Sequence, residues 1–383
     1  MTIFLLTVST LYALFTMILW LTWQRISTVS ISTVGPTTTR ITVVIPVRNE
    51  AGNIENLLHD LAKQTYPHFE VIVADDSSTD NSLGIVEAYA RNAPFALHPL
   101  PLADERTASP KKRAITQSIA LATGDLIVTT DGDCRVGPNW LATLAAFYEK
   151  TGAKLISGPV TFTQEQTLFD SLQTVEFASL IGTGACTMAL GYPTMCNGAN
   201  LCYEKKVFVE LGGFAGVDHL ASGDDEFLMH KVAAQYPASR RPVGHHPVGV
   251  QFLKSADAIV RTQPHRSIRA FYSQRRRWAS KWRAYQTYWP SVLAVFVFLS
   301  NAIPVFTTLG WILGFLNGNT ALVVIGLKAL PEFLFLRQVL VFLQKKSSVG
   351  VIPLTQLVYP FYVLFFGLAA QGKGYMWKGR KLK

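Results

Sequence analysis

Long stretches without any charged side chain constrain this chain more than any other feature of its sequence. Residues 1–24 and 284–327 contain no Asp, Glu, Lys or Arg, and further apolar segments follow at 321–343 and 351–370. A helix of about 20 apolar residues crosses a hydrocarbon core of roughly 30 Å. The first segment lacks the basic start and the small-residue cleavage site of a signal peptide. We therefore predict a retained N-terminal membrane anchor and a C-terminal transmembrane region.

The positive charge of the chain is concentrated beside its apolar segments. There are 35 Lys and Arg residues against 25 Asp and Glu, and the net charge of +10 could indicate nucleic-acid binding. However, the segment from Arg266 to Arg283 contains basic residues and no acidic ones, directly before the second apolar region. Basic residues at that place are typical of the cytoplasmic headgroup layer. We therefore expect a lipid bilayer and no nucleic acid as partner, with a cytoplasmic soluble region and a location in a bacterial inner membrane.

Between the apolar ends, short β-branched runs alternate with segments of helical periodicity. Strands are predicted at 41–46, 71–74 and 126–130, and helices at 53–64, 82–92 and 114–122. This alternation is typical of an α/β fold with a mostly parallel sheet, whose ligands bind outside the carboxyl ends of the strands. The predicted order is an anchor (1–24), a linker (25–39), an α/β catalytic domain (40–265), amphipathic interfacial helices (266–289), and a transmembrane region with a basic tail (290–383).

Two acidic motifs follow predicted strands. Asp75 and Asp76 end the second strand, where a carboxylate can accept a hydrogen bond from a nucleotide base or a ribose hydroxyl. The alternative is a helix cap at the end of this motif, near Asp80. Asp131 and Asp133 follow the third strand, separated by one glycine. Two such carboxylates can hold Mg²⁺ or Mn²⁺ and leave positions for diphosphate oxygens, although Asp-Gly is also a common turn.

A third acidic motif precedes an apolar helix predicted at 227–234. Its members are Asp224, Asp225 and Glu226. Three adjacent acids repel one another, so we expect the pKa of at least one of them to be raised. A raised pKa suits a general base, which takes a proton from an acceptor hydroxyl. Alternatively, these acids only complement the dipole at a helix N-terminus.

The fourth motif lies in the basic segment before the second apolar region. Gln274, Arg277 and Trp278 have the spacing i, i+3 and i+4, so they share one face of a helix. An arginine there can bind a leaving diphosphate, and a tryptophan offers an apolar floor for a sugar ring. Arg275 and Arg276 are expected to face away, toward lipid headgroups. The alternative is a basic interfacial helix with an aromatic anchor.

Together these motifs resemble those of the family 2 glycosyltransferases. The matching segments are 43–50, 73–80, 122–125, 130–133, 197–200, 223–226 and 274–278. More narrowly, the chain is similar to the membrane-bound branch that contains cellulose, hyaluronan and chitin synthases and ceramide glucosyltransferase. The resemblance implies a GT-A fold and an inverting hexosyltransferase that uses a nucleotide sugar, with UDP as the expected nucleotide, and Mg²⁺ or Mn²⁺ as cofactor.

The resemblance also implies catalytic and metal-binding roles. Asp225 matches the position of the catalytic base, with Asp224 replacing the more usual glutamate. Asp133 would bind the metal, and Asp131 would approach the metal, the ribose and the sugar.

Further residues are implied to bind the donor or the acceptor. Lys112 would neutralise phosphate charge, and Asn200 would line the sugar pocket. The nucleotide sugar would also contact Pro46, Glu50, Asp75 or Asp76 and Asp131. The diphosphate and the acceptor entrance would be contacted by Gln274, Arg277 and Trp278.

The number of apolar segments bears on the acceptor. Three segments after the catalytic domain are few for a channel that threads a growing polymer, so we expect a single transfer to a lipid or lipid-linked acceptor, giving a glycolipid. A processive synthase that extends a saccharide acceptor is the alternative. A hydrolase with the same acidic edge and an inactive membrane scaffold are rivals of other classes. Three crossings would put the basic tail outside, so one segment, 321–343 or the one containing Pro360, could be re-entrant.

Overall fold

The chain folds into two compact units. The computed structural model describes residues 2–30, 37–104, 107–237, 249–279, 289–369, 375–377 and 380–382. One unit, here called the helical unit, comprises Met1–Ile26, Gln164–Cys186 and Pro264–Tyr375. The other, here called the α/β unit, comprises Ser27–Thr163, Thr187–Gln263 and Met376–Lys383. Parts of the predicted linker and of the predicted interfacial segment, residues 31–36 and 280–288, lie outside the described residues.

A seven-stranded sheet forms the centre of the α/β unit. Its strand order is β3-β2-β1-β4-β7-β5-β8, and a separate parallel pair joins β6 to β9. The strands are β1 (Ile41–Val47), β2 (Phe69–Asp75), β3 (Ala96–Pro101), β4 (Leu126–Thr129), β5 (Leu155–Ser157), β6 (Val160–Phe162), β7 (Leu201–Glu204), β8 (Val250–Phe252) and β9 (Val260–Thr262). The helices of this unit are α2 (Ile54–Leu61), α3 (Ser82–Ala90), α4 (Pro110–Leu121), α5 (Trp140–Thr151), α7 (Lys205–Glu210) and α8 (Asp224–Gln235).

The three predicted strands lie side by side and run parallel. β1 pairs with β2 on one side and with β4 on the other, while β7 runs antiparallel to β4. Both faces of these strands are covered, which explains why they consist of continuous β-branched runs and not of alternating polar and apolar residues. Asp75 is the last residue of β2, and Asp131 follows β4 by two residues. The predicted α/β sheet, with acidic residues at its carboxyl edge, is therefore confirmed.

The helical unit contains most of α6 and the apolar ends of the chain. Its helices are α1 (Thr2–Arg25), α6 (Leu168–Ala189), α9 (Ile268–Ala279), α10 (Trp289–Ile312), α11 (Gly318–Phe342) and α12 (Ile352–Ala369). Among the described residues, four helical segments are long and apolar enough to cross a membrane: Thr2–Arg25, Ser291–Ile312, Gly318–Phe342 and Lys346–Gly367. One of them is the predicted N-terminal segment.

Two of the three charged residues of α11, Lys328 and Glu332, are partnered within the helical unit. Nζ of Lys328 donates to Oε1 of Glu332 at 2.6 Å, and the hydroxyl of Tyr12 donates to the same oxygen at 2.5 Å. Nε2 of Gln356 in α12 lies 3.5 Å from the other carboxylate oxygen. Internal pairing lowers the cost of placing these groups in lipid. These two charges are thus compatible with a spanning helix as well as with the re-entrant segment considered above.

Candidate active site

One lysine joins two acidic motifs that are far apart in the sequence. Nζ of Lys111 lies 2.7 Å from Oδ1 of Asp131 and 3.3 Å from Oδ2 of Asp224. Lys111 is in the first turn of α4, Asp131 follows β4, and Asp224 begins α8. Burial alone would lower the pKa of this amine, but Asp131 and Asp224, with a further contribution from Asp225, raise it well above its ordinary value. The carboxyl edge of the sheet therefore carries a permanently charged ammonium group among acidic side chains.

The candidate base is tied to the end of β4. The backbone N–H of Gly198 donates to Oδ2 of Asp225 at 3.0 Å, and the hydroxyl of Thr129 donates to the carbonyl of Gly198 at 2.8 Å. The other carboxylate oxygen of Asp225 accepts from the backbone N–H of Glu226 at 2.8 Å. A chain of hydrogen bonds thus fixes Asp225 relative to β4, the strand that precedes the predicted metal-binding motif.

Two glycines make this arrangement possible. A Cβ at Gly198 would lie 3.1 Å from Oδ2 of Asp224 and 3.4 Å from Nζ of Lys111, so a larger residue would crowd the ion pair. Gly223, the residue before α8, has φ +82° and is in the left-handed region that favours glycine. It turns the chain so that Asp224 and Asp225 both fall in the first turn of the helix.

The loop that carries Asp131 and Asp133 is held from two sides. Arg135 makes a two-pronged ion pair with the carboxylate of Asp60 in α2, at 2.5 and 2.8 Å. Its backbone also exchanges hydrogen bonds with Arg261 in β9, at 2.7 and 2.9 Å. The next residue of β9, Thr262, donates its hydroxyl to Oδ2 of Asp133 at 3.1 Å. Asp133 is therefore oriented by a neighbouring strand.

The donor set at this loop suits a metal that is only partly bound by protein. Asp131 and Asp133 provide two carboxylates, the ligand type preferred by Mg²⁺ and Mn²⁺. Within the described parts of the chain, no group of three or more His, Cys, Asp or Glu side chains could hold a metal ion. Thus the residues fit a hard cation whose remaining ligands are supplied by a diphosphate, and they do not fit a fully protein-coordinated ion.

The first acidic motif has internal partners for both of its aspartates. Oδ2 and Oδ1 of Asp75 accept from the backbone N–H and hydroxyl of Ser78, at 2.9 and 2.5 Å. Asp76 forms an ion pair with Arg113 at 2.7 Å, and Arg48 lies 3.9 Å away. To accept a hydrogen bond from a nucleotide base, either aspartate would have to use a carboxylate that already contacts these protein groups. Their predicted role stays a prediction.

Pro46 and Glu50 lie beside these motifs. Pro46 pairs with Ala74 across β1 and β2. Glu50 is buried, its backbone N–H donates to Ser82 at 2.7 Å, and its carboxylate accepts from Asn53 at 2.8 Å. A Cβ at Gly132 would lie 3.1 Å from Cγ of Glu50, so this side chain packs against the glycine between Asp131 and Asp133.

Lys112, predicted to neutralise phosphate charge, contacts the loop before α8. The side chain is buried, and Nζ donates to the carbonyls of Val217 and Leu220 at 2.5 and 2.8 Å. The ammonium group also lies 5.3 Å from the centre of the Phe227 ring. Lys112 therefore secures the loop before α8. Its neighbour Lys111 has the environment that was expected for Lys112, because consecutive residues of a helix point in directions about 100° apart.

Asn200 is a second predicted site residue whose side chain contacts other parts of the protein. It is 0% exposed, and its Oδ1 accepts from the indole N–H of Trp140 at 3.0 Å. Its Nδ2 donates to the carbonyls of Pro159 and Ala258, at 2.9 and 2.8 Å. These three bonds occupy both donors of the amide and a lone pair of its oxygen. Asn200 is a buried residue that joins α5 to two neighbouring loops, and its role at the sugar stays a prediction.

The Q-x-x-R-W motif lies on α9 in the helical unit. Oε1 of Gln274 accepts from Arg275, and the ring of Trp278 stacks on Phe177 with centroids 6.2 Å apart. Arg277 is half-buried on the same helix. The predicted helix is therefore present, while the predicted contacts of this motif with diphosphate and acceptor stay predictions.

The expected orientation of Arg275 is wrong. Its guanidinium does not face lipid headgroups: the residue is 3% exposed and makes two hydrogen bonds to the carboxylate of Glu176 in α6, at 2.9 and 2.5 Å. Helical spacing predicted that Arg275 faces away from Gln274 and Trp278, but its guanidinium contacts both side chains. The spacing could not show that a carboxylate from a distant helix binds this guanidinium.

Sequence reasoning also missed Lys111, Gly198 and Thr262. A signal for Lys111 existed, because a lysine in the first turn of a helix after an exposed loop is available to anions. Gly198 lies in the matching segment 197–200 but had no assigned role, and Thr262 gave no signal, since their partners Asp225 and Asp133 are far away in the chain.

Comparison with known proteins identifies the segment that carries Lys111, Asp131, Asp133 and Gly198. Residues 42–212 match the family model described as "Glycosyl transferase family 2". The match covers less than half of the chain, and this segment has the sequence features of a family 2 glycosyltransferase domain. The predicted enzyme family is confirmed at this level, and the narrower membrane-bound branch stays a proposal.

Relatives of known name match the transferase domain over part of their length. The chain is 29% identical over 192 residues to glycosyltransferase AglE of Haloferax volcanii, covering 48% of this chain and 58% of that protein. It is 33% identical over 113 residues to poly(ribitol-phosphate) beta-N-acetylglucosaminyltransferase TarS of Staphylococcus aureus, covering 29% of this chain and 19% of that protein. The matched part thus spans less than two thirds of each relative.

A solved structure aligns with this chain over almost the full length of both proteins. It is the mannosyltransferase PcManGT from Pyrobaculum calidifontis in complex with GDP-Man and Mn²⁺, at a TM-score of 0.55 and 19% identity. The likeness covers 93% of this chain and 97% of that one. At this identity it bears on the fold alone, and the GT-A fold predicted for the transferase domain is confirmed.

Proposed function

We propose that this chain is a membrane-embedded, inverting glycosyltransferase that moves a sugar from a nucleotide sugar, with UDP as the expected nucleotide, to a hydroxyl of a lipid or lipid-linked acceptor. The observation that carries the proposal is the convergence of Lys111, Asp131, Asp224 and Asp225 at one edge of the sheet. Lys111 and Asp131 belong to the segment that matches family 2 glycosyltransferases, and Asp224 and Asp225 follow it in the chain. The expected product is a glycolipid.

In the proposed reaction, Asp225 removes the proton from the acceptor hydroxyl. Its carboxylate is held by the N–H groups of Gly198 and Glu226, at 3.0 and 2.8 Å, which fixes its direction while leaving lone pairs for the acceptor. The acceptor oxygen forms a bond to the anomeric carbon as the bond from that carbon to the diphosphate breaks. A single displacement of this kind inverts the configuration of the sugar.

Negative charge grows on the diphosphate as it leaves, and the site offers positive charge for it. Lys111 lies 2.7 Å from Asp131 and stays charged over the working pH range. Fixed charge at the place where charge develops stabilises the transition state. A divalent cation held by Asp131 and Asp133 would add Lewis-acid stabilisation when bound. The family resemblance assigns Gln274, Arg277 and Trp278 to the same diphosphate and to the acceptor entrance.

The membrane part of the proposal is supported by four apolar helical segments within the described residues. An acceptor with an apolar chain would be concentrated at the surface of the bilayer in which such helices are embedded. Three of these segments follow the transferase domain. This small number favours a single transfer over a polymer channel, with a processive synthase as the alternative.

A donor and acceptor panel tests the proposal on the full chain in lipid nanodiscs. We expect metal-dependent release of the nucleoside diphosphate from one of several UDP-sugars or GDP-mannose, stimulated by a lipid acceptor with a free hydroxyl, such as a diacylglycerol or a ceramide. NMR of the product should show the opposite anomeric configuration from the donor. Release that is unchanged in the Asp225→Asn variant, or a product that retains configuration, would contradict the proposal. Long products made from a saccharide primer would favour the processive alternative.

A further inference from the structure

A buried ion pair in the helical unit joins α6 to α9, the helix that contains the Q-x-x-R-W motif. Nε of Arg275 donates to Oε1 of Glu176 at 2.9 Å, and its terminal amine donates to Oε2 at 2.5 Å. The hydroxyl of Tyr362 in α12 donates to Oε1 of the same carboxylate at 3.1 Å. Three helices, α6, α9 and α12, thus meet at one carboxylate. We call Glu176, Arg275 and Tyr362 the helix lock.

Aromatic rings enclose the guanidinium of the helix lock. The central carbon of Arg275 lies 4.6 Å from the centre of the Phe271 ring and 4.3 Å from that of Trp278. Trp278 stacks in turn on Phe177, the residue after Glu176. A planar guanidinium suits both contacts at once, because it can form two parallel hydrogen bonds in its plane and pack its faces on aromatic rings. The ion pair and the tryptophan ring of the Q-x-x-R-W motif therefore pack together as one assembly.

A buried ion pair of this kind contributes little to the stability of the fold, but it strongly restricts the relative positions of the helices that it joins. Removing two charges from water costs several kcal/mol, which the attraction between them only partly offsets. By contrast, a bidentate pair with a third donor permits a single arrangement of the groups involved. An apolar contact in place of Glu176 and Arg275 would hold α9 less specifically. The ion pair therefore fixes the position of α9 more than it stabilises the helical unit.

We propose that the helix lock positions α9, so that Gln274, Arg277 and Trp278 are presented in one fixed orientation during transfer. The proposal rests on the function proposed above. Glu176, Arg275 and Tyr362 are positioning residues and need not touch the substrate. Because interactions made only in the transition state affect kcat, misplacement of Arg277 should lower kcat and leave the KM for the donor nearly unchanged.

The test uses the full chain in nanodiscs with three variants and a control. Tyr362→Phe, Glu176→Gln and Arg275→Lys each weaken the lock while keeping size, and Arg269→Gln removes an exposed arginine from the same helix. Limited trypsin digestion, mapped by mass spectrometry, reports cleavage after residues 275–277. Transfer kinetics report kcat and KM separately. For Glu176→Gln and Arg275→Lys, the proposal predicts faster cleavage and a kcat that is lowered about tenfold or more. Tyr362→Phe should lower kcat by a smaller factor. Arg269→Gln should behave like the wild type in both measurements.

Each outcome bears on the proposal. Wild-type kcat in both ion-pair variants overturns it, and so does a fall in kcat that Arg269→Gln reproduces. If Glu176→Gln fails to fold, Arg275→Lys and Tyr362→Phe decide alone, because they keep a cation and a ring. If the wild-type chain transfers no sugar, the proposed function fails, while the digestion pattern still shows whether the lock holds α9. Unchanged digestion in all three variants overturns that part as well.

Discussion

Lys111 and Lys112 are neighbours in sequence, but their ammonium groups have opposite kinds of partner. Nζ of Lys111 lies between the carboxylates of Asp131 and Asp224, at 2.7 and 3.3 Å, whereas Nζ of Lys112 donates to two backbone carbonyls at 2.5 and 2.8 Å. The side chain of Lys111 is 22% exposed and can reach a ligand. Lys112 is buried and holds the loop that leads into α8. We therefore expect Lys111 to act in the reaction and Lys112 to act in folding.

Replacing these two lysines in turn should give opposite results. Lys111→Met removes the charge that faces the leaving diphosphate, so we expect transfer to fall about tenfold or more, with a change in stability within about 1 kcal/mol because the pair is partly exposed. Lys112→Met leaves two buried carbonyls without their donor, which should lower the free energy of unfolding by about 1–3 kcal/mol. Nucleotide release and thermal unfolding, measured on both variants, check this. Equal effects of the two substitutions on both measurements would refute the distinction.

Asp225→Asn should abolish transfer while leaving the donor bound. Asparagine keeps the size of the side chain and can still accept from Gly198, which lies 3.0 Å away, but it cannot take a proton. Loss of a general base typically costs about 10²–10⁴-fold in rate. Transfer assays and calorimetric titration with the nucleotide sugar measure the two effects separately. Asp218→Asn, on an exposed aspartate of the preceding loop, is the matched control. Turnover retained in Asp225→Asn would rule out this base.

Asp133→Ala should weaken nucleotide binding only when a divalent cation is present. Asp133 is oriented by the hydroxyl of Thr262 at 3.1 Å, and its carboxylate is one of two available to the cation. Loss of such a ligand should raise the Kd of the nucleotide in Mg²⁺ or Mn²⁺ toward its value in EDTA. Calorimetry in both buffers checks this, with Glu87→Ala on the exposed side of α3 as control. Equal affinity of wild type and Asp133→Ala in both buffers would argue against a metal at this loop.

The sequence predicted the strands around the site better than it predicted the contacts of individual side chains. The strands at Ile41–Val47 and Leu126–Thr129 were readable because continuous β-branched runs have few other stable folds, and their parallel order brings Asp75 and Asp131 to one edge. The environment of Asn200 was not readable, because its three hydrogen bonds join it to residues 140, 159 and 258. A local motif cannot distinguish a buried amide from one that lines a pocket. The same limit applies to Arg275, whose partner Glu176 lies 99 residues earlier.

Acidification should destabilise α8 through His230. This imidazole is partly buried on the helix that begins with Asp224 and Asp225, and burial lowers its pKa below the ordinary value of about 6.5. The unfolded chain then binds the proton more readily, so the stability contributed by the neutral ring is complete above pH 6.5 and is lost as the pH falls through the lower pKa of the folded state. We therefore expect the melting temperature of His230→Asn to fall less steeply than that of the wild type between about pH 6.5 and 5. His219→Asn, on an exposed loop, should keep the wild-type slope. Parallel melting curves for His230→Asn and the wild type across this range would show that another group controls the response.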